Sequence, residues 1–324
     1  MTAEASMTSH PTPAMPAVSP NRSPEPRPES PLEAEGRRLG VWMALPTQLL
    51  LVFIVVFPLL MQLYISMTDW SPLYGESWVQ AWRSWNGFAN YADVLSNGRF
   101  WSALWRTLLI VLVCVPAQFL LGLGLAVLFI DDFRGKRVFY SVLLTPMMVV
   151  PAVAGYMFFM LFQSGGPINN ILSLLSGTTV STAWLSNPTL AMAAVMIADI
   201  WQWTPLMFLI LLAGLIGVPE DQLKAATLLG ASWWQRFRTI MLPRIKTVIV
   251  IALVIRSVEI FKIFDNLYIM TGGGPGVSTE TISVYIYKVT LQNLEWSYVA
   301  TVALIILVSL SVITAFGLKL MERR

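Results

Sequence analysis

Six long apolar runs dominate this 324-residue sequence and restrict the folds that are open to it. Each run reaches or exceeds the ~20 residues that an α-helix needs to cross a hydrocarbon core of ~30 Å. A backbone in lipid must satisfy its hydrogen bonds internally, so the runs are expected to be helices. They occupy residues 41–66, 104–130, 138–162, 189–216, 244–270 and 297–320. The sequence therefore predicts an all-α membrane protein with six transmembrane helices.

The few charged and reactive side chains exclude several classes of function. Charged residues make up only 12% of the chain, against roughly 25% in soluble domains. The single cysteine, Cys114, lies in an apolar run, and the single histidine, His10, lies in the N-terminal tail. These counts exclude a disulfide framework, a zinc cluster and a histidine-based catalytic triad. Since no metal site and no paired nucleophile and base are visible, we do not expect an enzyme.

The distribution of basic residues predicts the orientation of the chain in the membrane. Because the number of apolar runs is even, both termini lie on one side, together with the segment 218–243. Fifteen lysines and arginines belong to that side and four to the other. The positive-inside rule therefore places both termini in the cytoplasm. The net charge of +3 reflects membrane topology rather than binding of nucleic acid.

The first 36 residues differ in composition from the rest of the chain. They are rich in Pro, Ser and Glu and contain almost nothing to bury, which predicts a disordered cytoplasmic tail. Residues 37–324 then form one membrane domain with six helices.

A long amphipathic segment at 218–243, VPEDQLKAATLLGASWWQRFRTIMLP, separates the fourth and fifth runs. It predicts two short helices with a bend at Gly230, since glycine ends a helix with positive φ. Ser232 and Gln235 form a capping-box pattern for the second helix, and Pro243 is expected to stop that helix. The residues alone fit either a helix pair lying in lipid headgroups or one that docks on a cytoplasmic partner.

Part of this segment, KAATLLGAS…IMLP, resembles the cytoplasmic signature of permease subunits of bacterial ATP-binding-cassette importers. That signature reads Glu-Ala-Ala, three residues, Gly, nine residues, Ile-x-Leu-Pro. Lys224 stands here at the position of its glutamate, which puts that one ion pair with the ATPase in doubt. The resemblance implies that the segment couples to the ATPase. The coupling residues are then Lys224, Ala225, Ala226, Gly230, Ile240, Leu242 and Pro243.

Residues 41–320 as a whole resemble the carbohydrate-uptake branch of these permeases, which includes the upstream maltose-type permease. The stretches that carry this resemblance are NGFANYADVL at 86–95, GPINNIL at 166–172, LAGLIGVPEDQ at 212–222 and FDNLYIMTGGGP at 264–275. The resemblance implies a type I importer permease fold and a multi-pass protein of the bacterial inner membrane. Its implied partners are membrane lipid, a second homologous permease, two ATPase subunits and an extracytoplasmic sugar-binding protein.

Nucleotide binding is expected in the partner subunits and not in this chain. No GxxxxGK[ST] motif, the loop that cradles nucleotide phosphates, occurs in the sequence. We therefore expect this chain to bind no cofactor, while its ATPase partners use ATP and Mg²⁺. Movement of the 218–243 segment would transmit the motion of the ATPase to the membrane helices.

The fifth run contains four ionisable residues at intervals of three, Arg256, Glu259, Lys262 and Asp265. Arg256 follows Pro243 by thirteen residues, or roughly 20 Å along a helix, which places it deep in the bilayer. A charge at that depth is costly and is expected to face protein or water. The stripe of alternating charge is either a self-neutralising structural ladder or part of a transport pathway.

One face of the fourth run favours the pathway interpretation. Asp199, Gln202, Trp203 and Leu206 share this face. A carboxylate and an amide can accept hydrogen bonds from sugar hydroxyls, while an indole can stack on the apolar face of a sugar ring. The resemblance extends the predicted substrate pathway to the facing part of the fifth run. The eight pathway residues are then Asp199, Gln202, Trp203, Leu206, Arg256, Glu259, Ile260 and Ile263.

The predicted function is that of the transmembrane subunit of an ATP-driven importer of di- or oligosaccharides, with trehalose as the first candidate. A polyol or glycerol-3-phosphate also remains open, because Arg256 suits a phosphate. The alternative is an ion-coupled secondary transporter or channel that uses the stripe from Arg256 to Asp265 as an ion relay.

Overall fold

The computed structural model describes residues 31–322, with side chains described for 42–312, 314 and 315. Helices and the loops between them account for these residues, which contain no β-strand, so the all-α prediction is confirmed. The helices are α1 (Pro31–Ser66), α2 (Ala89–Ser96), α3 (Gly98–Leu128), α4 (Lys136–Met148), α5 (Pro151–Leu161), α6 (Pro167–Ser176), α7 (Pro188–Ile216), α8 (Glu220–Leu228), α9 (Trp233–Arg236), α10 (Leu242–Arg244), α11 (Lys246–Phe261), α12 (Asp265–Thr271), α13 (Ile282–Leu291) and α14 (Trp296–Glu322).

The chain divides into two compact units, Met1–Pro58 and Leu59–Arg324. In the first unit, residues 1–30 of the predicted disordered tail lie outside the described residues. Residues 31–36 form the start of α1 instead of continuing that tail. A proline at the first helical position, followed by acidic residues, suits a helix start at this point.

Among the described residues, three helices are long and apolar enough to cross a membrane, and they coincide with three of the six predicted runs. They are Trp42–Ser66, Gly98–Leu128 and Pro188–Ile216, which correspond to the first, second and fourth runs. The third run consists of α4 and α5, which meet at an angle of 96°. The fifth run is also divided, because α11 ends at Phe261 and α12 begins at Asp265.

Continuous helices in the third and fifth runs were therefore a wrong prediction. Val149 and Val150 are extended ahead of Pro151, as expected because proline disfavours helical geometry in the residue before it. Side chains from distant parts of the chain bond the freed backbone carbonyls. The carbonyl of Val149 accepts a hydrogen bond from Gln202 at 2.8 Å, and that of Ile263 accepts one from Thr281 at 3.3 Å. Broken helices within a bilayer require this kind of internal compensation.

At two places in the second unit, a glycine allows two helices to pack closely. A Cβ at Gly122 of α3 would lie 2.9 Å from the backbone nitrogen of Phe208 in α7. A Cβ at Gly155 of α5 would lie 2.7 Å from the Cα of Asn266 in α12. Small residues of this kind allow the backbones of membrane helices to approach each other. These contacts bring α3 next to α7 and α5 next to α12.

Candidate functional site: a charged cavity and an exposed helix pair

A cavity of about 250 Å³ lies between α5, α7, α11 and α12. Its lining combines apolar side chains with three carboxylates, two cationic groups and an indole. The lining residues are Pro151, Asp199, Trp203, Arg256, Glu259, Ile260, Lys262, Ile263, Phe264, Asp265 and Asn266. The structure thus brings six of the eight predicted pathway residues together, on α7, α11 and the break that follows α11.

The other two predicted pathway residues, Gln202 and Leu206, do not line the cavity. Gln202 is buried and donates from Nε2 to the carbonyl of Val149, at the break between α4 and α5. Its position supports the bent helix rather than the cavity wall. Leu206 lies one turn beyond Trp203 on α7 and is half-buried outside the cavity lining.

A buried polar network joins three helices beside the cavity. Arg256 of α11 donates from Nη2 to both carboxylate oxygens of Asp199 in α7, each at 2.8 Å. Gln118 of α3 donates from Nε2 to Asp199 Oδ2 at 2.8 Å. The Oε1 atom of Gln118 accepts a hydrogen bond of 2.8 Å from Arg256 Nε. The side chains of Arg256 and Asp199 are only 4% and 3% exposed, so the pair is shielded from solvent.

Arg256 makes two further contacts that connect the network to the cavity. Its Nη1 atom donates to Glu259 Oε2 at 3.3 Å, and its Cζ atom lies 4.9 Å from the ring centroid of Trp203. The side chain of Glu259 is 40% exposed, in contrast to the enclosed Asp199. Glu259 is therefore the carboxylate of this network that a solute in the cavity meets most readily.

Gln118 is the member of this network that the sequence prediction missed. It lies between apolar neighbours in the second run, and a single amide carries no periodic signal. The available signal was that a polar side chain inside a membrane helix needs a partner. That argument predicts a partner for Gln118 and leaves its identity undetermined.

The predicted charge stripe does not form one continuous ladder. Arg256 and Glu259 are paired on α11, whereas Lys262 and Asp265 flank the break between α11 and α12. Among the described residues, neither Lys262 nor Asp265 has an ion-pair partner. Both line the cavity and are exposed.

The segment 218–243 contains the predicted helix pair and bend. Helix α8 runs from Glu220 to Leu228, and Gly230 adopts φ +81°. A Cβ on Gly230 would meet no atom within 4 Å, so its left-handed conformation is what favours glycine. The capping box at the start of α9 is present, since Ser232 and Gln235 exchange hydrogen bonds between side chain and backbone.

The prediction that Pro243 stops the second helix was wrong. Residues Phe237–Met241 form a π-helical turn after α9, and Pro243 lies at the start of α10. The amide nitrogen of Leu242 bonds the carbonyl of Phe237. At the first positions of a helix proline's missing N–H is no loss, so the chain continues through α10 to α11 at Lys246.

The α8–α9 pair exposes both apolar and charged groups. Leu228 and Leu229 are each 89% exposed, and Trp233 and Trp234 are also exposed. Of the other predicted coupling residues, Ala225 and Pro243 are exposed, while Ala226, Ile240 and Leu242 are half-buried.

Lys224 has a partner within its own helix. Its Nζ donates to Glu220 Oε2 at 2.6 Å, and this bond holds the pKa of Glu220 below its ordinary value. Both side chains are well exposed. A pair of this kind stabilises a helix only slightly, so it leaves Lys224 free to exchange partners.

A second buried ionic cluster centres on Glu280, ahead of α13. Arg99 donates to both of its carboxylate oxygens at 2.8 Å, and Lys288 donates to Oε2 at 3.2 Å. Burial of Glu280 opposes ionisation, but the hydrogen bonds and charges of Arg99 and Lys288 outweigh it. They hold the pKa of Glu280 below its ordinary value. This cluster ties the start of α3 to the glycine-rich loop before Glu280.

The cavity is a polar site that lies beside broken helices. The family model for the "Binding-protein-dependent transport system inner membrane component" matches residues 86–324. This chain belongs to that family.

Relatives in the family are permease proteins and not enzymes. The trehalose/maltose transport system permease protein MalF of Thermococcus litoralis is 33% identical over 260 residues, 80% of this chain and 85% of that protein. The sulfoquinovosyl glycerol transport system permease protein SmoG of Agrobacterium fabrum is 33% identical over 294 residues, 90% of this chain and 93% of that protein. The trehalose transport system permease protein SugA of Mycobacterium tuberculosis is 32% identical over 285 residues, 88% of this chain and 89% of that protein.

A solved structure shows the same fold. It is a chain of the bacterial alginate ABC transporter, crystallised in complex with its alginate pentasaccharide-bound periplasmic protein. The TM-score is 0.75 at 21% sequence identity, and the match covers 90% of this chain and 96% of that chain.

Proposed function

We propose that this chain is a transmembrane subunit of an ATP-driven importer for an uncharged di- or oligosaccharide. The cavity lined by Asp199, Trp203, Arg256 and Glu259 is its part of the translocation pathway. Trehalose is the first sugar to test, because two of the three relatives are named as trehalose or trehalose/maltose permeases.

The proposal includes a topology and an assembly. Six spans of a type I importer permease, two of them broken, cross the bacterial inner membrane with both termini in the cytoplasm. A second homologous permease completes the pathway, an extracytoplasmic sugar-binding protein delivers the substrate, and two ATPase subunits use ATP and Mg²⁺. The periplasmic protein in the solved alginate transporter complex supports this assembly.

The hydrogen bonding and burial of Arg256 favour an uncharged substrate. Its hydrogen bonds go to Gln118, Asp199 and Glu259, and its side chain is only 4% exposed. To bind Arg256, a phosphate or sulfonate would have to displace these carboxylates and would meet their negative charge. Sugar hydroxyls can instead donate to Glu259, while the indole of Trp203 supplies an apolar surface.

The α8–α9 pair supports the proposed coupling to ATPase subunits. Its four large exposed apolar side chains, Leu228, Leu229, Trp233 and Trp234, are costly to leave in water. Docking of a short amphipathic helix into a groove would cover such a surface. Movement of the ATPase would then reach α11 through the helical turns that follow α9.

The alternative, an ion-coupled transporter or channel, is less well supported. Its relay would use the stripe from Arg256 to Asp265, but the helix is interrupted between Phe261 and Asp265. Arg256 and Asp199 are also saturated by each other, which leaves little room for repeated binding and release of an ion.

Uptake by the reconstituted complex tests the proposal. The chain is purified with its ATPase, second permease and binding protein and placed in proteoliposomes with ATP and Mg²⁺. Labelled trehalose and maltose serve as uncharged probes and glycerol-3-phosphate as the anionic probe. We expect ATP-dependent uptake of an uncharged probe that persists when a protonophore collapses the proton gradient. Uptake of the anionic probe alone would contradict the substrate class, and dependence on the gradient would favour the ion-coupled alternative.

A pair of tryptophan variants tests the cavity in the same assay. Trp203→Leu should reduce uptake several-fold, because it removes the flat aromatic surface proposed to stack on a sugar ring. Trp105→Leu is the matched control, since Trp105 is 61% exposed on α3 and lies outside the cavity. Equal effects of the two substitutions would remove Trp203 from the pathway.

A further inference from the structure

Gln118 lies in the middle of α3 and is completely buried. Its two polar atoms bind groups of opposite charge on two other helices. The Nε2 atom donates to the carboxylate of Asp199 at 2.8 Å and to the backbone carbonyl of the same residue at 3.1 Å. The Oε1 atom accepts from Arg256 Nε at 2.8 Å. The amide therefore donates to an acid on α7 and accepts from a base on α11.

The packing of α3 against α7 makes this bridge possible. Gly122 lies one turn after Gln118, and its missing side chain lets α3 approach the backbone of Phe208 in α7. At that spacing Gln118 reaches both the side chain and the main chain of Asp199. Gly122, where the two helices approach closely, and Gln118, which bonds Asp199 and Arg256, lie on the same face of α3.

We propose that Gln118 is a positioning residue for the substrate pathway. It holds Arg256 and Asp199 against each other, so that the two charges neutralise each other instead of binding the solute. Arg256 then keeps its contacts with the Trp203 ring and with Glu259, the two groups that face the solute. This inference rests on the proposed function, because it assigns Gln118 a role in the same cavity.

The chemistry of the bridge gives a specific test. In Gln118→Glu, the protonated acid keeps two of the amide's three hydrogen bonds: its O–H donates to the Asp199 carboxylate and its C=O accepts from Arg256, while the bond to the Asp199 backbone carbonyl is lost. The ionised form places a second carboxylate against Asp199. In Gln118→Met, the length of the side chain is kept, but both the donor and the acceptor are lost at every pH.

The ionisable groups around the bridge determine which form the introduced glutamate takes. Asp199 of α7 and Glu259 of α11 oppose its ionisation, Arg256 of α11 favours it, and Cys114 lies one turn away on α3. Burial also opposes ionisation. The acid form should therefore persist at acidic pH and decrease as the pH rises.

Initial rates of trehalose and maltose uptake should be measured in the full complex for wild type, Gln118→Glu and Gln118→Met. The pH should run from about 5.5 to about 8.5, the range over which buried acids commonly titrate. Uptake by Gln118→Met should fall about tenfold at all pH values, since Arg256 Nε loses its buried acceptor and the Asp199 carboxylate loses a donor. Gln118→Glu should approach wild-type uptake at the acidic end and fall, reversibly, as the pH rises. Its loss should appear in the maximal rate and the KM for sugar, while the affinity of the separate binding protein stays unchanged.

The proposal is contradicted if the two variants behave alike at each pH, or if Gln118→Met transports as wild type does. If Gln118→Met does not assemble, the pH profile of Gln118→Glu against wild type decides, and parallel profiles refute the positioning role.

Thermal unfolding of the same complexes gives a readout that needs no sugar. Gln118→Glu should lose thermal stability relative to wild type as the pH rises, and Gln118→Met should not show this dependence. If wild type imports neither probe, the proposed function fails while this measurement still tests the bridge.

Discussion

Replacing Arg256 by Met tests whether charge pairing holds α7 and α11 together. The substitution removes both hydrogen bonds to Asp199 and the bond to Gln118. It leaves the Asp199 carboxylate, only 3% exposed, without a cation. Loss of one partner of a buried ion pair typically costs 3–5 kcal/mol. Arg256→Met should therefore lower the melting temperature of the purified complex by several °C.

A double-mutant cycle separates the ion pair from simple packing. Asp199→Leu alone should also be destabilising, because it leaves the buried Arg256 with only the longer contact to Glu259 and the bond to Gln118. The double variant Arg256→Met/Asp199→Leu should lose less than the sum of the two single losses, with a coupling free energy of about 2 kcal/mol or more. Thermal unfolding followed by intrinsic fluorescence measures all four proteins. Additive losses would refute the argument that these two charges stabilise each other.

Four further substitutions test the remaining parts of the account. Glu259→Gln should reduce sugar uptake while the complex still assembles and its binding protein keeps its affinity; normal uptake would mean that this carboxylate is structural. Gly230→Val should reduce transport-linked ATP hydrolysis, because a β-branched residue avoids φ +81°. The control Gly177→Val, at φ +68° with equally open surroundings, should leave coupling intact. Lys224→Glu should weaken retention of the ATPase in pull-downs if the ATPase presents an acid there, and improved retention would show that no such acid exists. Glu280→Gln should lower the melting temperature at pH values above about 4.3, the ordinary pKa of glutamate. Because the folded-state pKa of Glu280 is lowered, the difference from wild type should vanish as the pH falls through that lowered pKa. A difference that does not change with pH would contradict the ionic role.

The sequence predicted correctly several features that depend only on residues close together in the chain. The capping box at Ser232 and the bend at Gly230 follow from side-chain hydrogen bonding and backbone freedom, and both are present. The long helices α3 and α7 follow from apolar length alone. The prediction for Pro243 failed because proline ends a helix only where its missing N–H would be bonded. The π turn of Phe237–Met241 comes before it, and Pro243 lies at the start of α10, where that N–H is not needed.

Features that depend on two distant segments were not predictable from the sequence. The break after Phe261 carries no proline or glycine, and its freed carbonyl at Ile263 is bonded by Thr281 from a later part of the chain. Gln118 gave no periodic signal, and its partners follow it by 81 and 138 residues. Asp199 and Arg256 were noted as neighbouring charges of a pathway, but their mutual saturation required the geometry of three packed helices.

The position of the sugar within the assembled importer tests the central claim most directly. An electron cryomicroscopy structure of the full complex, trapped with an ATP analogue and an imported sugar, would show that position. The account predicts density for the sugar against the Trp203 ring, with a hydroxyl within hydrogen-bond distance of Glu259. Arg256 should still be bonded to Asp199 and Gln118. Sugar density away from α7 and α11, or an Arg256 side chain released from Asp199 to bind the substrate, would contradict it.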